Sequence, residues 1–326
     1  MAALDPNYQR LSLTELGKRT LNGVVQAITE NLSNTRAILR DGEWVKANRT
    51  TSHIHTRRIA IPTGTWRIAN AGSAPEASRT RQVEESVGTL EAFSTVDEFI
   101  IDLADDKAAF ILTEDMSFLE GLAQTFATAT VYGSTITDPE QFDGLLTRLA
   151  TLGTYCVSAG GATTLTSVIV VQWGANRVHY IYKPNLAAGR GGDVPVERND
   201  LGYETVLDSA NSYPYRAHRT QFRMHGGLAV HDDRNLCALR NISASGGATL
   251  FNSDKMIGLL NIMEERGAGS IIYCNRTVMT QVDIQAVDKA NVLYGPTNVF
   301  GETVTGFRGH PMRLEDSILS TESAIA

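Results

Sequence analysis

Met1–Arg10 is largely polar and contains Pro6, which predicts an extended arm. Ser12-Leu13-Thr14-Glu15 then fits a capping box. Leu13, Leu16, Leu21, Val24, Val25, Ile28 and Leu32 follow at helical spacing, so the pattern predicts a first helix. From Thr51 to Leu103 the pattern changes to one rich in Thr, Ile, Arg and His. SHIHTRRIAIPTGTWRIANAG (Ser52–Gly72) is broken by Pro62 and Gly64. A small, polar stretch (Ser73–Ser78) leads to a return arm, RQVEESVGTLEAFSTVDEFIIDL (Arg81–Leu103). Both arms favour strand, yet their apolar density is too low for a buried sheet. Two long charged strands around a flexible tip predict a projecting β-hairpin. Such a ribbon is marginal alone in water and must lie on something.

Asp105–Val131 reads as one helix, roughly 40 Å long at 1.5 Å per residue. Its expected apolar stripe is Leu112, Met116, Leu119, Ala123 and Phe126, with Phe118 and Leu122 beside it, and Gly133 as terminator. Asp138-Pro139-Glu140 predicts a further helix, with Phe142, Leu145, Leu146 and Leu149 facing the core and Gly153 as its stop. Thr166–Val171 and Val178–Tyr182 read as a hairpin around Gly174-Ala175-Asn176. Tyr215–Ile242 is strand-like, broken at Gly226-Gly227 and Asp232-Asp233. A helix from Asn252 to Arg266 buries Met256, Leu259, Leu260 and Met263, with Gly267 as C-cap. Ser270–Tyr273 is a short strand, and Arg276–Asp288 suits helix or strand.

With 326 residues there is room for two domains, or one with large extensions. A net charge of −7 argues against a nucleic-acid-binding surface over the whole molecule. No apolar run reaches the ~18 residues of a membrane span, so no membrane association is expected. The N-terminus lacks the basic-then-apolar order of a secretion signal. Cys156, Cys237 and Cys274 are odd in number, far apart and without CxxC spacing, which predicts buried, reduced thiols.

Candidate chemistry is thin. His53 and His55 share one face of a strand and could hold a metal, but a third ligand would have to come from elsewhere, and surface hairpin residues are the plainer reading. His225 with His231-Asp232-Asp233 faintly resembles a metal-dependent hydrolase; without further spaced ligands, a turn is the better account. Gly160-Gly161 and Gly189–Asp193 lack the ending of a phosphate loop, and no GxSxG elbow occurs. The expectation is therefore no catalytic residue, no cofactor and no metal. The hairpin charges are a different matter. Arg57, Arg58, Arg67, Arg79 and Arg81 occur with Glu84, Glu85, Glu91 and Asp97, a mixture suited to contacts that fix register between subunits. Trp66, beside a turn, is the candidate apolar anchor.

Near the C-terminus, GFRGHPMRLEDSIL (Gly306–Leu319) resembles the closing strand of tailed-phage major capsid proteins. Six further segments carry the same resemblance: TELGKRTLNGVVQAITENL (Thr14–Leu32), TSHIHTRRIAIPTGTWRIANAG (Thr51–Gly72), FLEGLAQTF (Phe118–Phe126) followed by VYGSTITDPEQFDGL (Val131–Leu145), VQWG (Val171–Gly174), and GLAVHDDRNLCALRNI (Gly227–Ile242). Together they make the chain similar to the major capsid proteins of short-tailed phages, with the fold first described in the Hong Kong phage. The resemblance implies an α+β fold. Its parts would be an N-terminal arm and helix (1–48), an extended loop (49–103), a peripheral domain with a spine helix (104–250) and an axial domain (251–326). Only seven residues follow Leu319, whereas the Hong Kong pattern returns a last strand to the peripheral domain. Leu228–Ile242 is the best substitute, which leaves room for rearranged connectivity.

The resemblance further implies a non-enzymatic subunit assembling with itself in hexamers and pentamers. Portal and scaffolding or cement proteins would be its partners, and the shell would enclose DNA without reading its sequence. The expected location is the virion, after assembly in the host cytoplasm. The alternatives are a metal-dependent hydrolase using His225, His231 and Asp232, or a cellular nanocompartment shell of the same fold.

Overall fold

A computed structural model describes residues 36–183, 196–207, 213–244, 249–288, 297–299, 302–304 and 306–325, with the short pairs 20–21 and 24–25. The expected arm and most of the first helix lie outside these residues, as does the Gly189–Asp193 loop. Inside the expected helix, Thr20–Leu21 pairs antiparallel with Val24–Val25, so the helix is not continuous there. Asn22-Gly23 stands between the two pairs in sequence, and Asn-Gly is a strong hairpin signal that outweighs the apolar spacing.

The chain forms two compact units. The first holds Thr89–Phe126 and Val194–His225. Strand Val196–Leu207 pairs antiparallel with the lower part of Pro214–Val230, with an irregularity between Asp200 and Gly202. Strand Gly88–Asp97 joins the same long strand, then passes into the short helix Glu98–Asp102, where the Asp97 side chain accepts from the Phe99 N–H at 2.9 Å. Val96, Ile100, Ile101, Ala104 and Phe110 form a small core.

The long helix runs Lys107–Tyr132, within two residues of expectation at either end. Its buried face is not the expected stripe. Leu112, Met116 and Leu119 are exposed, whereas Phe110, Leu122 and Phe126 are buried and Phe118 stacks on Phe222 at 6.2 Å. Buried Asp115 helps set that rotation, because Arg198 holds it with nitrogens at 2.5 and 3.0 Å.

The second unit is built on a six-stranded mixed sheet. Its order is Gly306–Phe307, His310–Leu314, Ile271–Cys274, Leu165–Val171, Leu236–Ser243, Cys156–Ser158. Strand Leu165–Val171 is buried at every position, as a central strand covered on both faces must be. Helix Ser253–Ile262 and the second helix, Arg276–Asp288, supply Met256, Leu259, Leu260, Val278 and Val282 to its core. Asn252 caps the first of these helices, accepting from the Lys255 N–H at 2.9 Å. That helix stops at Ile262 instead of Arg266, and Glu264–Gly267 is a separate 3₁₀ turn. Arg276–Asp288 resolves as helix.

Three further expectations change. Leu165–Val171 and Val178–Tyr182 are not a hairpin: the first lies in the six-stranded sheet, and the second pairs with Gly227–Val230 and Trp44–Lys46. The long strand Pro214–Val230 continues through Gly226-Gly227, breaking only near Asp232-Asp233. The helix expected from Asp138 is reduced to Leu145–Arg148. Asp143 is drawn instead into bonds with Thr135, and Gly144 presses so closely on the Ala129 carbonyl that a Cβ would lie 2.8 Å from it.

Candidate functional site

The hairpin consists of Ser52–Ala60 paired antiparallel with Arg79–Ser86. Its return arm ends earlier than the sequence suggests. The Val87 N–H donates to the Thr51 carbonyl at 3.1 Å, closing the base, and Gly88–Asp97 departs as a separate strand. Gly227 lies under that base, where a Cβ would collide with the Ser86 carbonyl. All residues from 61 to 82 are exposed. Trp66 is wholly exposed, and Ile61 and Ile68 are 73% and 81% exposed. Arg58, Arg67, Arg79 and Arg81 are exposed too, with Arg67 donating only to the nearby Ala71 carbonyl at 3.0 Å.

His53 and His55, read from the sequence as surface hairpin residues, are buried, and two charged residues expected at the exposed surface are tied into their own chain. Arg57 donates to Asp233 Oδ1 at 3.0 Å and His55 Nε2 at 3.2 Å, and to the Val230 carbonyl. Glu85 is 6% exposed and receives both ends of the Arg148 guanidinium at 2.6 and 2.9 Å. Both sit near the hairpin base, where burial outweighs the exposure that charge alone suggests. Glu84 stays exposed, accepting from Ser52 Oγ at 2.6 Å.

The base gathers four histidines. His53 and His55 project from the same face of Ser52–Ala60. His179 stands opposite Ala229 in the strand register, and the His231 N–H donates to the Arg177 carbonyl at 2.8 Å. Ring centroids lie 5.6 Å apart for His53–His179, 5.0 Å for His179–His231 and 6.1 Å for His53–His231. His55 stacks on His231 at 4.2 Å. Burial holds the pKa values of His53 and His231 below the ordinary histidine value and pushes those of His55 and His179 down to about 4. The backbone of Gly174 pulls His179 the other way without reaching hydrogen-bond geometry.

His225 lies in the first unit, its Nδ1 in a 3.0 Å hydrogen bond with Thr89 Oγ1. Asp232 caps the Asp233–Asn235 turn and pairs with Arg234 at 2.5 Å. The companions of His231 are thus His53, His55 and His179, and the hydrolase set of His225, His231 and Asp232 is replaced. Sequence reasoning missed His179. Its signal was a histidine inside the apolar run VHYIY, which no local pattern links to His53. The three cysteines are buried and free, and burial pushes the thiols of Cys237 and Cys274 up to about 12, so they are inert.

Comparison with known proteins gives this arrangement its setting. The family model described as "Major capsid protein GP7" matches residues 20–326. A chain from the structure of bacteriophage Epsilon15 is 28% identical over 100% of this chain and 99% of its own, with TM-score 0.73. The SrpI encapsulin complex of Synechococcus elongatus is 13% identical over 74% and 100%, with TM-score 0.47. The capsid of Myoviridae phage XM1 is 11% identical over 69% and 97%, with TM-score 0.43. Among curated proteins, none matches. The chain belongs to the GP7 family of major capsid proteins, and is therefore a structural protein of a phage capsid with the tailed-phage α+β capsid fold, not an enzyme.

Proposed function

We propose that this capsid subunit closes the icosahedral phage head by joining copies of itself in pentamers and hexamers, with the hairpin lying on a neighbouring copy. Residues 1–48 act as the arm, 49–103 as the extended loop, 104–250 as the peripheral domain and 251–326 as the axial domain. Contacts of this kind are heterologous, and they form rings when the rotation between subunits closes. Portal and scaffolding or cement proteins complete the head, which is assembled in the host cytoplasm. The acidic balance suits a container for DNA, because each phosphate neutralised by Lys or Arg would add unwanted affinity.

The observation that carries this reading is the tip. Trp66, Ile61 and Ile68 stand exposed between arginines, although apolar side chains so placed favour a covering partner. Emission from Trp66 reports on it. Closed particles should show a blue shift relative to free subunits, and Trp66→Phe should remove that component. Identical spectra for Trp66 in free and assembled protein would exclude the proposed contact.

A further inference from the structure

Four of the seven histidines meet at the hairpin base, inside the second unit, where no carboxylate or carbonyl satisfies them all. One potential ligand atom from each of His53, His179 and His231 lies within 4.8 Å of the others. His53 Nδ1, both nitrogens of His179 and His231 Nε2 are buried without a hydrogen-bond partner. Buried polar atoms are almost always paired, so a concentration of unpaired ring nitrogens at one point calls for an occupant.

We propose that His53, His179 and His231 form a binding site for a divalent transition-metal ion of the zinc type, with His55 holding the ring of His231 by stacking. Three neutral imidazoles are a ligand set that zinc favours, whereas magnesium and calcium require oxygen. In a tetrahedral site with bonds of 2.0–2.1 Å, neighbouring ligand atoms stand roughly 3.3 Å apart. From within 4.8 Å the three ring nitrogens would have to draw together by up to roughly 1.5 Å, with water in the fourth position.

The neutral imidazole is the form that binds metal. Nearby charge acts both ways, since Arg57 disfavours positive charge at His231. Arg57 and Arg148 are the nearby cations, and each already has a carboxylate, Asp233 for the first and Glu85 for the second. Glu85 also acts favourably on positive charge at His53 and His231. The consequence is mechanical: one ion would link a hairpin strand, strand Val178–Tyr182 and the residue after Val230. That role lies beyond assembly and does not depend on where the hairpin tip docks.

The test uses the full-length chain, stripped with a chelator, dialysed and titrated with Zn²⁺ alone. Wild type should bind one ion per chain and gain melting temperature. Co²⁺ in place of Zn²⁺ should give the intense visible bands of tetrahedral nitrogen coordination. His231→Ala, at the most accessible of the three ligands, should weaken binding by at least about tenfold and abolish those bands. His225→Ala, in the other unit, should change neither. Should His231→Ala fail to fold, His53→Gln provides the same comparison. Wild type binding Zn²⁺ no more tightly than these ligand variants, or losing binding equally in His225→Ala, would overturn the site and leave a packed cluster of neutral rings.

Discussion

Glu315, fully buried, ends the strand His310–Leu314, and its partners show how one residue ties distant segments together. Its Oε2 accepts from the Ile38 N–H at 3.0 Å, in the first turn of the short helix Ala37–Asp41, and Oε1 accepts from Ser317 Oγ at 2.7 Å. A carboxylate there meets the unsatisfied N–H groups of a helix start. Glu315→Ala should cost about 1–3 kcal/mol in urea unfolding, because it leaves the buried Ile38 N–H without its acceptor. Burial raises the pKa of Glu315, so the folded chain holds its proton more tightly than the unfolded chain does. This contribution to stability is present below the unfolded value near 4.5 and is lost as pH rises through the folded value. Glu315→Gln should therefore gain on wild type as pH rises above 4.5, and a pH-independent difference would contradict the assignment. The resemblance of GFRGHPMRLEDSIL placed Glu315 in the closing strand segment. It could not reveal Ile38, 277 residues away, as the group to be capped. Arg148 and Glu85 make the same point, since charge pattern alone placed Glu85 at the surface. Because the pair is buried, Arg148→Met should cost about 3–5 kcal/mol by stranding a carboxylate. A double-mutant cycle with Glu85→Gln should recover much of that loss.

At the scale of elements, the sequence located more than it paired. The long helix was legible because apolar residues recur at helical spacing over many turns, but several faces carried apolar residues. Which of them turned inward was decided by Phe222 and by the Arg198–Asp115 ion pair, neither of which is local. Leu165–Val171 and Val178–Tyr182 were recognisable as strands. Their separation into different sheets was not, because short apolar runs do not encode their partners. The hairpin was also legible, although burial of its base was not. This division within one element gives a paired prediction. Arg58→Glu, at an exposed position, should leave circular dichroism and melting unchanged and reduce shell formation, since like charges across an interface are penalised. Arg57→Glu would face Asp233 and lose its bond to the Val230 carbonyl, so it should lower the melting temperature of the free subunit as well. Equal melting for the two variants would show that the base is not anchored as described.

The whole molecule is where local reading gave least and resemblance gave most. Each compact unit is assembled from separated stretches, Thr89–Phe126 with Val194–His225 in one case, and no linker or composition shift announces such a division. The histidine cluster has the same origin. His53 and His55 could be paired from a period of two, but His179 and His231 join them only through strand register. The proposed assembly contact likewise falls on chain that contributes little to its own unit, and the tip can be tested as such. Ala60 and Arg79 are the outermost paired residues of the hairpin, and residues 61–78 beyond them are exposed throughout. The bonds from the Thr63 and Gly64 N–H groups to Glu76, at 2.7 and 3.1 Å, remain inside that segment. Replacing residues 61–78 with a two-residue Asn-Gly turn therefore removes no buried contact and supplies the turn such a ribbon favours. Unfolding free energy should change by no more than about 0.5 kcal/mol, as for surface changes remote from any packed feature. Shells, however, should not form: size-exclusion chromatography should show free subunits or small rings, and negative-stain images should lack closed particles. Closed shells of wild-type size from the shortened chain would mean that contacts elsewhere on the subunit suffice, and the hairpin would lose its assigned part in closure.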